Sequence, residues 1–379
     1  MAVTLNLVGL DALIKVLNKA GFEVYGPTVA NGVIGHDRIA SLDDLPHKVT
    51  DEQSGGRYRL VDRDDGARFG YAVGPGSWKD VLHPSRVKVW TLTRDGTREP
   101  GTVAVSINKP DPVPRAFIGV RPCELAAIRK QDRVLAHGPH PDPVYQANRH
   151  DTVLVVVNCG DPADTCFCTS AGTGPAATGG YDLALTELVD GARVRYVVDV
   201  GSERGARLMA MMPPRTMWPT TNGEHSRAEQ VTEGAADTMT ARLDIDLADR
   251  GVADLLYDNL ESDQWDDIAR RCLTCGNCTL ACPTCFCTNM EDVTDLSGAG
   301  TDRWRVWDTC FSLEFSHMGP GPVRAAASSR YRQWLVHKLG SWHDQFRESG
   351  CVGCGRCITW CPVGIDLRDE ITAMAGGTG

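Results

Sequence analysis

The chain has no apolar run approaching the roughly 20 residues of a membrane-spanning helix, so no membrane partner is expected. Its opening, Met1-Ala-Val-Thr-Leu-Asn-Leu-Val8, has neither a charged leader region nor an apolar core. No twin-arginine pair opens it either, so we expect no export signal. No Gly-x-Gly-x-x-Gly follows a strand-like run, and no Gly-x4-Gly-Lys-Ser/Thr occurs. The chain itself is therefore not expected to bind a nicotinamide, flavin or nucleotide. The Gly74-Pro-Gly-Ser-Trp-Lys79 stretch resembles a phosphate loop only in its glycines. His-Glu-x-x-His and nucleophile-elbow patterns are also missing, which removes the common zinc-hydrolase and serine-hydrolase readings. No dense basic run offsets a formal net charge of -10, so nucleic acid is not an expected partner.

What the chain does have is cysteine. Fifteen cysteines without an export signal point to a reducing, cytoplasmic compartment in which thiolates are kept for metal. Eight of them form two runs, Cys272-Leu-Thr-Cys275-Gly-Asn-Cys278-Thr-Leu-Ala-Cys282-Pro283 and Cys351-Val-Gly-Cys354-Gly-Arg-Cys357-Ile-Thr-Trp-Cys361-Pro362. Both spell C-x2-C-x2-C-x3-C-P, the spacing that holds cubane iron–sulfur clusters in bacterial ferredoxins. Three thiolates at that spacing wrap one cluster, and the cysteine before the proline ligates the other cluster of the pair. We therefore assign Cys272, Cys275, Cys278 and Cys361 to a first 4Fe–4S cluster, and Cys351, Cys354, Cys357 and Cys282 to a second. Structural zinc usually takes two separated knuckles rather than one tight run. Disulfide frameworks belong to short secreted chains. Two redox centres side by side serve electron transfer, so no residue of this chain is expected to be catalytic.

At 379 residues the chain exceeds a usual single domain. Residues 11–20 have helical spacing and stop at Gly21. Residues 57–61, 103–107, 116–120, 152–158 and 194–200 read as strands, and 124–135 as a helix. The β-branched run 152–158 suits a strand buried on both faces. Alternating strands and helices predict an α/β domain over 1–210 with a cysteine-rich segment. Residues 211–234 are turn-rich and read as a linker. Residues 235–379 are expected to form a mostly helical, ferredoxin-like dicluster domain, with a basic helix at 324–339 inside the long insert between the two runs.

Seven cysteines remain. Thr165-Cys-Phe-Cys-Thr169 recurs as Thr284-Cys-Phe-Cys-Thr288, and Asp164-Thr-Cys166 is echoed by Asp308-Thr-Cys310. Cys123 and Cys159 lie just past strand-like runs, where open α/β sheets build their sites. A third iron–sulfur site from Cys123, Cys159, Cys166 and Cys168 is one reading. A rival uses Cys285, Cys287 and Cys310 with a ligand from elsewhere. In the third reading these thiols only pack the fold, or donate weak S–H bonds that tune the clusters.

Gly119-Val-Arg-Pro-Cys-Glu124, the 158–170 segment, Gly172-Thr-Gly-Pro175, Cys282-Pro-Thr-Cys-Phe-Cys287, Trp304-Arg-Val-Trp-Asp308 and Tyr331-Arg-Gln-Trp334 with His337-Lys338 together form a more specific pattern. In these the chain resembles the beta subunit of cytoplasmic, NADP-linked nickel–iron hydrogenases (sulfhydrogenases) and the related A subunit of anaerobic sulfite reductases. The resemblance implies two 4Fe–4S clusters and a partner subunit that carries FAD and binds NAD(P)H. For a hydrogenase it also implies small and large subunits; for a sulfite reductase, a siroheme subunit. A self-sufficient iron–sulfur oxidoreductase using a third cluster, and a purely structural iron–sulfur scaffold, are the readings of other classes.

Overall fold

The computed structural model describes residues 2–94, 102–241 and 246–376. Its strands are β1 (Val3–Asn6), β2 (Glu23–Ala30), β3 (Val33–Arg38), β4 (Val49–Ser54), β5 (Arg57–Asp62), β6 (Arg86–Arg94) and β7 (Val103–Ile107). Next come β8 (Arg115–Val120), β9 (Val153–Val157), β10 (Leu183–Asp190), β11 (Arg193–Val200), β12 (Met217–Pro219), β13 (Thr288–Thr294) and β14 (Gly300–Trp307). An eight-stranded sheet runs in the order β12-β1-β11-β10-β9-β8-β2-β3. Its centre, β2, β8, β9 and β10, is parallel, and its flanks are antiparallel. All five residues of β9 are buried. Val153, Val155 and Val157 enter one core with the helix Leu7–Lys19, while Leu154 and Val156 face Phe117, Trp78 and Tyr145 on the other side. A parallel centre covered on both faces explains the unbroken β-branched run. It also sets where the chemistry can lie. β8 leads into the helix Pro122–Gln131, which carries Cys123, and β9 ends two residues before Cys159.

The C-terminal part departs from the helical expectation. Residues 288–307 form an antiparallel hairpin that joins β6 and β7 in a second sheet, β13-β14-β6-β7. The insert between the cysteine runs thus completes a sheet begun in the N-terminal half. Its helices are short: Gly251–Asp258, Gln264–Arg271, Ala327–Val336, Trp342–Phe346 and Leu367–Gly376. The basic stretch read as one helix over 324–339 starts at Ala327 and passes into a π-turn at His337–Ser341. The 211–234 stretch holds β12, paired with β1, and most of the helix Asn222–Thr240, capped by Thr221 and Glu224. Pro213 and Pro214 mark the turn before β12, while Pro219 closes that strand and Gly223 and Gly234 lie within the helix. Among the described residues, no helix is long and apolar enough to cross a membrane.

Candidate metal centres

Each C-x2-C-x2-C run folds into the same local turn. Gly276 (φ 76°) and Gly355 (φ 74°) take the left-handed conformation that glycine adopts without a Cβ penalty. They open the short helices Asn277–Leu280 and Arg356–Thr359. The fourth cysteines leave these turns alike, with Cys282 N donating to Thr279 O and Cys361 N to Ile358 O, both at 3.3 Å. Backbone N–H groups reach the sulfurs. Thr274 N donates to Cys272 Sγ at 3.4 Å, Gly353 N to Cys351 Sγ at 3.3 Å and Ile365 N to Cys361 Sγ at 3.3 Å.

Cys272, Cys275, Cys278 and Cys361 line one cavity, together with Phe311, Tyr331, Trp334, Ile365 and Leu367. The four cysteines grouped from spacing are therefore brought together although Cys361 lies over 80 residues on. Cys275 is exposed, as are Leu273 and Val363 beside it, so this cavity reaches the surface. Cys357 also lines it. Cys351, Cys354 and Cys282 all act electrostatically on Cys357, and so does Cys278 from the first group. The two groups meet at Cys278 and Cys357.

A second apolar cavity is lined by Cys123, Cys159, Cys166 and Cys168, with Met239, Pro122, Pro162 and Pro175. Cys354 lines it too, and the Cys166 thiol lies 4.0 Å from Cys354 O. Cys168 Sγ lies 3.7 Å from Met239 Sδ. The other trio does not line either cavity: Cys285 lies against Cys282, while Cys287 acts on Cys310. Among the described residues no three such side chains converge on a single metal ion; the cysteines surround spaces instead.

Most of these thiols are held protonated by their surroundings. Burial pushes Cys123, Cys168, Cys278 and Cys357 well above the ordinary thiol range, and Cys166 to about 12. Such thiols become thiolates when a cation binds them. Cys282 is driven the other way, well below that range, by a hydrogen bond from Cys285, against burial and with the help of Lys338 and Thr284. Lys338 Nζ lies 3.3 Å from Cys282 Sγ and donates to Thr284 Oγ1 at 2.9 Å. Burial opposes its charge, yet Cys282, Cys285 and Cys351 outweigh that and hold the ammonium well above the usual lysine value. Sulfur donors around apolar spaces, with N–H groups on the sulfurs, fit thiolate-bound iron–sulfur clusters.

The second run is fixed to the N-terminal layer. Arg356 is buried; its Nε donates to Gly74 O at 2.8 Å, and its Nη2 to Gly76 O at 2.9 Å and Glu124 Oε1 at 2.5 Å. The other oxygen, Glu124 Oε2, accepts from Trp78 Nε1 and Arg121 N, both at 3.1 Å. The glycine stretch at 74–76 thus turns carbonyls toward a cation, the reverse of a phosphate cradle. Phe167 N donates to Gly353 O at 2.8 Å, and Thr173 Oγ1 to Val352 O at 2.7 Å.

Residues 271–365 match the family described as 4Fe-4S dicluster domain. Over 260 residues the chain is 32% identical to the sulfhydrogenase 2 subunit beta of Pyrococcus furiosus, an alignment covering 67% of this chain and 73% of that protein. The chain belongs to the hydrogenase beta-subunit family. No solved structure matches it. In this family member the spacing rules located the cysteines but not what surrounds them. Arg356 occupies a variable position of its run, and Lys338, although part of the family-like Tyr331–Lys338 stretch, carried no sign there of its contact with a cysteine sulfur. The hairpin at 288–307 did leave a signal, since Arg303-Trp-Arg-Val-Trp307 alternates after the turn-rich Asp295-Leu-Ser-Gly298.

Proposed function

We propose that this chain is the electron-relay subunit of a soluble, NADP-linked nickel–iron hydrogenase, working with a flavin subunit that binds NAD(P)H and with small and large hydrogenase subunits. Cys272, Cys275, Cys278 and Cys361 would hold one 4Fe–4S cluster, Cys351, Cys354, Cys357 and Cys282 a second, and Cys123, Cys159, Cys166 and Cys168 a third. Bound there, the clusters would supply one-electron transfer. The observation that carries this reading is the overlap of neighbouring sites: Cys357 lines the first cavity and Cys354 the third. Ligands of one centre therefore stand against the next. The chain's own residues exclude water from the inner sites with Phe167, Val352 and Met239, all buried. Phe311, Tyr331 and Trp334 pack the first. Exposed Cys275 makes the first site the one at which a partner would exchange electrons. The relative's name favours a hydrogenase over a sulfite reductase as the parent complex.

The test is iron and acid-labile sulfide per chain in anaerobically purified protein, with EPR of the reduced state. About twelve irons are expected; about eight would remove the third site, and fewer than eight would overturn the relay.

A further inference from the structure

Four buried basic residues stand around the second cysteine group, and their charges are balanced differently. Lys79, which acts on Cys282 and Cys285, gives its Nζ to Leu280 O at 3.1 Å and lies over the Trp307 ring rather than on a sulfur. Arg356, beside Cys354, is paired with the Glu124 carboxylate, so its charge is locally neutralised. Lys130 lies farther out near Cys351 and is paired with Glu348 at 2.6 Å. Lys338 is buried as deeply as these, yet forms no ion pair with a carboxylate among the described residues. Its partners are the Cys282 sulfur and the Thr284 hydroxyl, whose Oγ1 also lies 2.8 Å from Gly350 O and 3.2 Å from Cys282 Sγ. A buried ammonium is costly unless an anion stands beside it. Here the anion is the sulfur itself. The first group has no cation in contact with a sulfur among the described residues: aromatic and aliphatic side chains line its cavity, and Arg330, which acts on Cys272 from nearby, gives its Nη1 to the carbonyls of Arg324 and Ala325.

Resting on the cluster assignment above, we propose that Lys338 is a positioning residue for potential. It fixes an uncompensated positive charge on the Cys282 sulfur and raises the midpoint potential of the second cluster alone. Reduction adds one electron, and so one negative charge, to a cluster and its four thiolates. A fixed cation in contact with one of those sulfurs favours the reduced form, whereas a neutral or paired group does so weakly. The centre joined to both neighbours would then be easier to reduce than the same cluster without that charge, which favours an electron resting between them.

The experiment is an EPR-monitored dithionite titration of the full chain, comparing wild type with Lys338→Met, Lys338→Gln and Lys338→Arg, with iron per chain measured on each. The neutral variants are expected to keep their iron while one cluster signal becomes at least tenfold harder to reduce, about 59 mV for one electron. The other signals should stay in place, and Lys338→Arg should titrate near wild type. Unmoved signals, or all signals moving together, would overturn the proposal. Should Lys338→Met shed iron, the glutamine variant, which keeps an N–H donor, decides on the same criteria. Loss of iron from both neutral variants while the arginine variant loads normally would make Lys338 a structural prop and overturn its role in potential. Cys282→Ala separates the two layers of the argument. If it keeps all its iron, the cluster assignment fails; if it loses iron while the Lys338 variants titrate like wild type, only the proposal about potential fails.

Discussion

The 272–283 and 351–362 runs share a spelling and a turn, but they are set into different ground. The first packs its short helix against Thr309, with Thr279 Oγ1 donating to Thr309 Oγ1 at 2.6 Å, and opens at Cys275. The second is enclosed on the side of the N-terminal layer. A Cβ on Gly353 would stand 2.4 Å from Phe167 O, and one on Gly355 would stand 2.4 Å from Thr165 O. An identical cysteine spacing is thus compatible with an exposed setting and with an enclosed one. What separates them is the contact surface around each loop rather than the cysteines.

The strongest way to break this comparison is to remove one inner ligand from each run. Cys278→Ala and Cys357→Ala should each lose about four irons per chain and stop electron flow, while the eight-stranded sheet stays folded by circular dichroism. Unchanged activity in either variant would end the relay reading. Next in size is the anchor that only the second run has. Arg356→Met leaves the Glu124 carboxylate buried without its cation, which should cost about 3–5 kcal/mol in chemical unfolding. Its iron loss should be confined to the second and third sites, so the first cluster's EPR signal should persist. A uniform loss of all signals would show that the two regions are not independent.

A smaller effect sharpens the contrast with one atom at a left-handed glycine of each run. Gly353 has φ 62° and Gly276 φ 76°, so an alanine is strained at both. At Gly353 the new methyl meets backbone, Phe167 O and Cys168 Cα, which cannot turn aside. At Gly276 it meets the Thr309 side chain at 2.9 Å, which has some freedom to move. Thermal unfolding should therefore find Gly353→Ala more destabilising than Gly276→Ala, the former by about 1–3 kcal/mol. Equal losses would mean that the backbone dihedral, not the packing against the 165–168 segment, sets the cost.

Some of this was legible in the sequence because it depends on local rules. A buried strand over 153–157 and the grouping of Cys361 with a run far upstream both follow from spacing and backbone preference. The second sheet was not legible as a unit, since β14 finds its second partner, β6, about 200 residues earlier. Neither were Arg356 and Lys338. A buried cation is defined by what surrounds it, and Glu124, Gly74 and Thr284 reach these residues only through tertiary packing. The same holds for the stretch at 211–234, whose turn residues bracket a strand that pairs with the N-terminus.

The smallest expected effect, a shift in potential from Cys285, comes from the repeated Thr-Cys-Phe-Cys-Thr segment, whose two copies look equivalent on paper. In the first copy Cys166 and Cys168 line a cavity with Cys123 and Cys159. In the second, Cys285 lies on the Cys282 sulfur as a hydrogen-bond partner, and Cys287 neighbours Cys310, which burial pushes up to about 12. If the first copy binds iron and the second only supports a ligand, Cys166→Ala should lose about four irons while Cys310→Ala keeps the full content. Cys285→Ala should also keep its iron but lower the second cluster's potential, because the Cys282 sulfur loses one donor. The shift should be smaller than that from neutralising Lys338, since an S–H is a weak, uncharged donor and an ammonium is not. Iron loss from Cys310→Ala would move the third site to the other copy of the repeat and reverse the roles of the two segments.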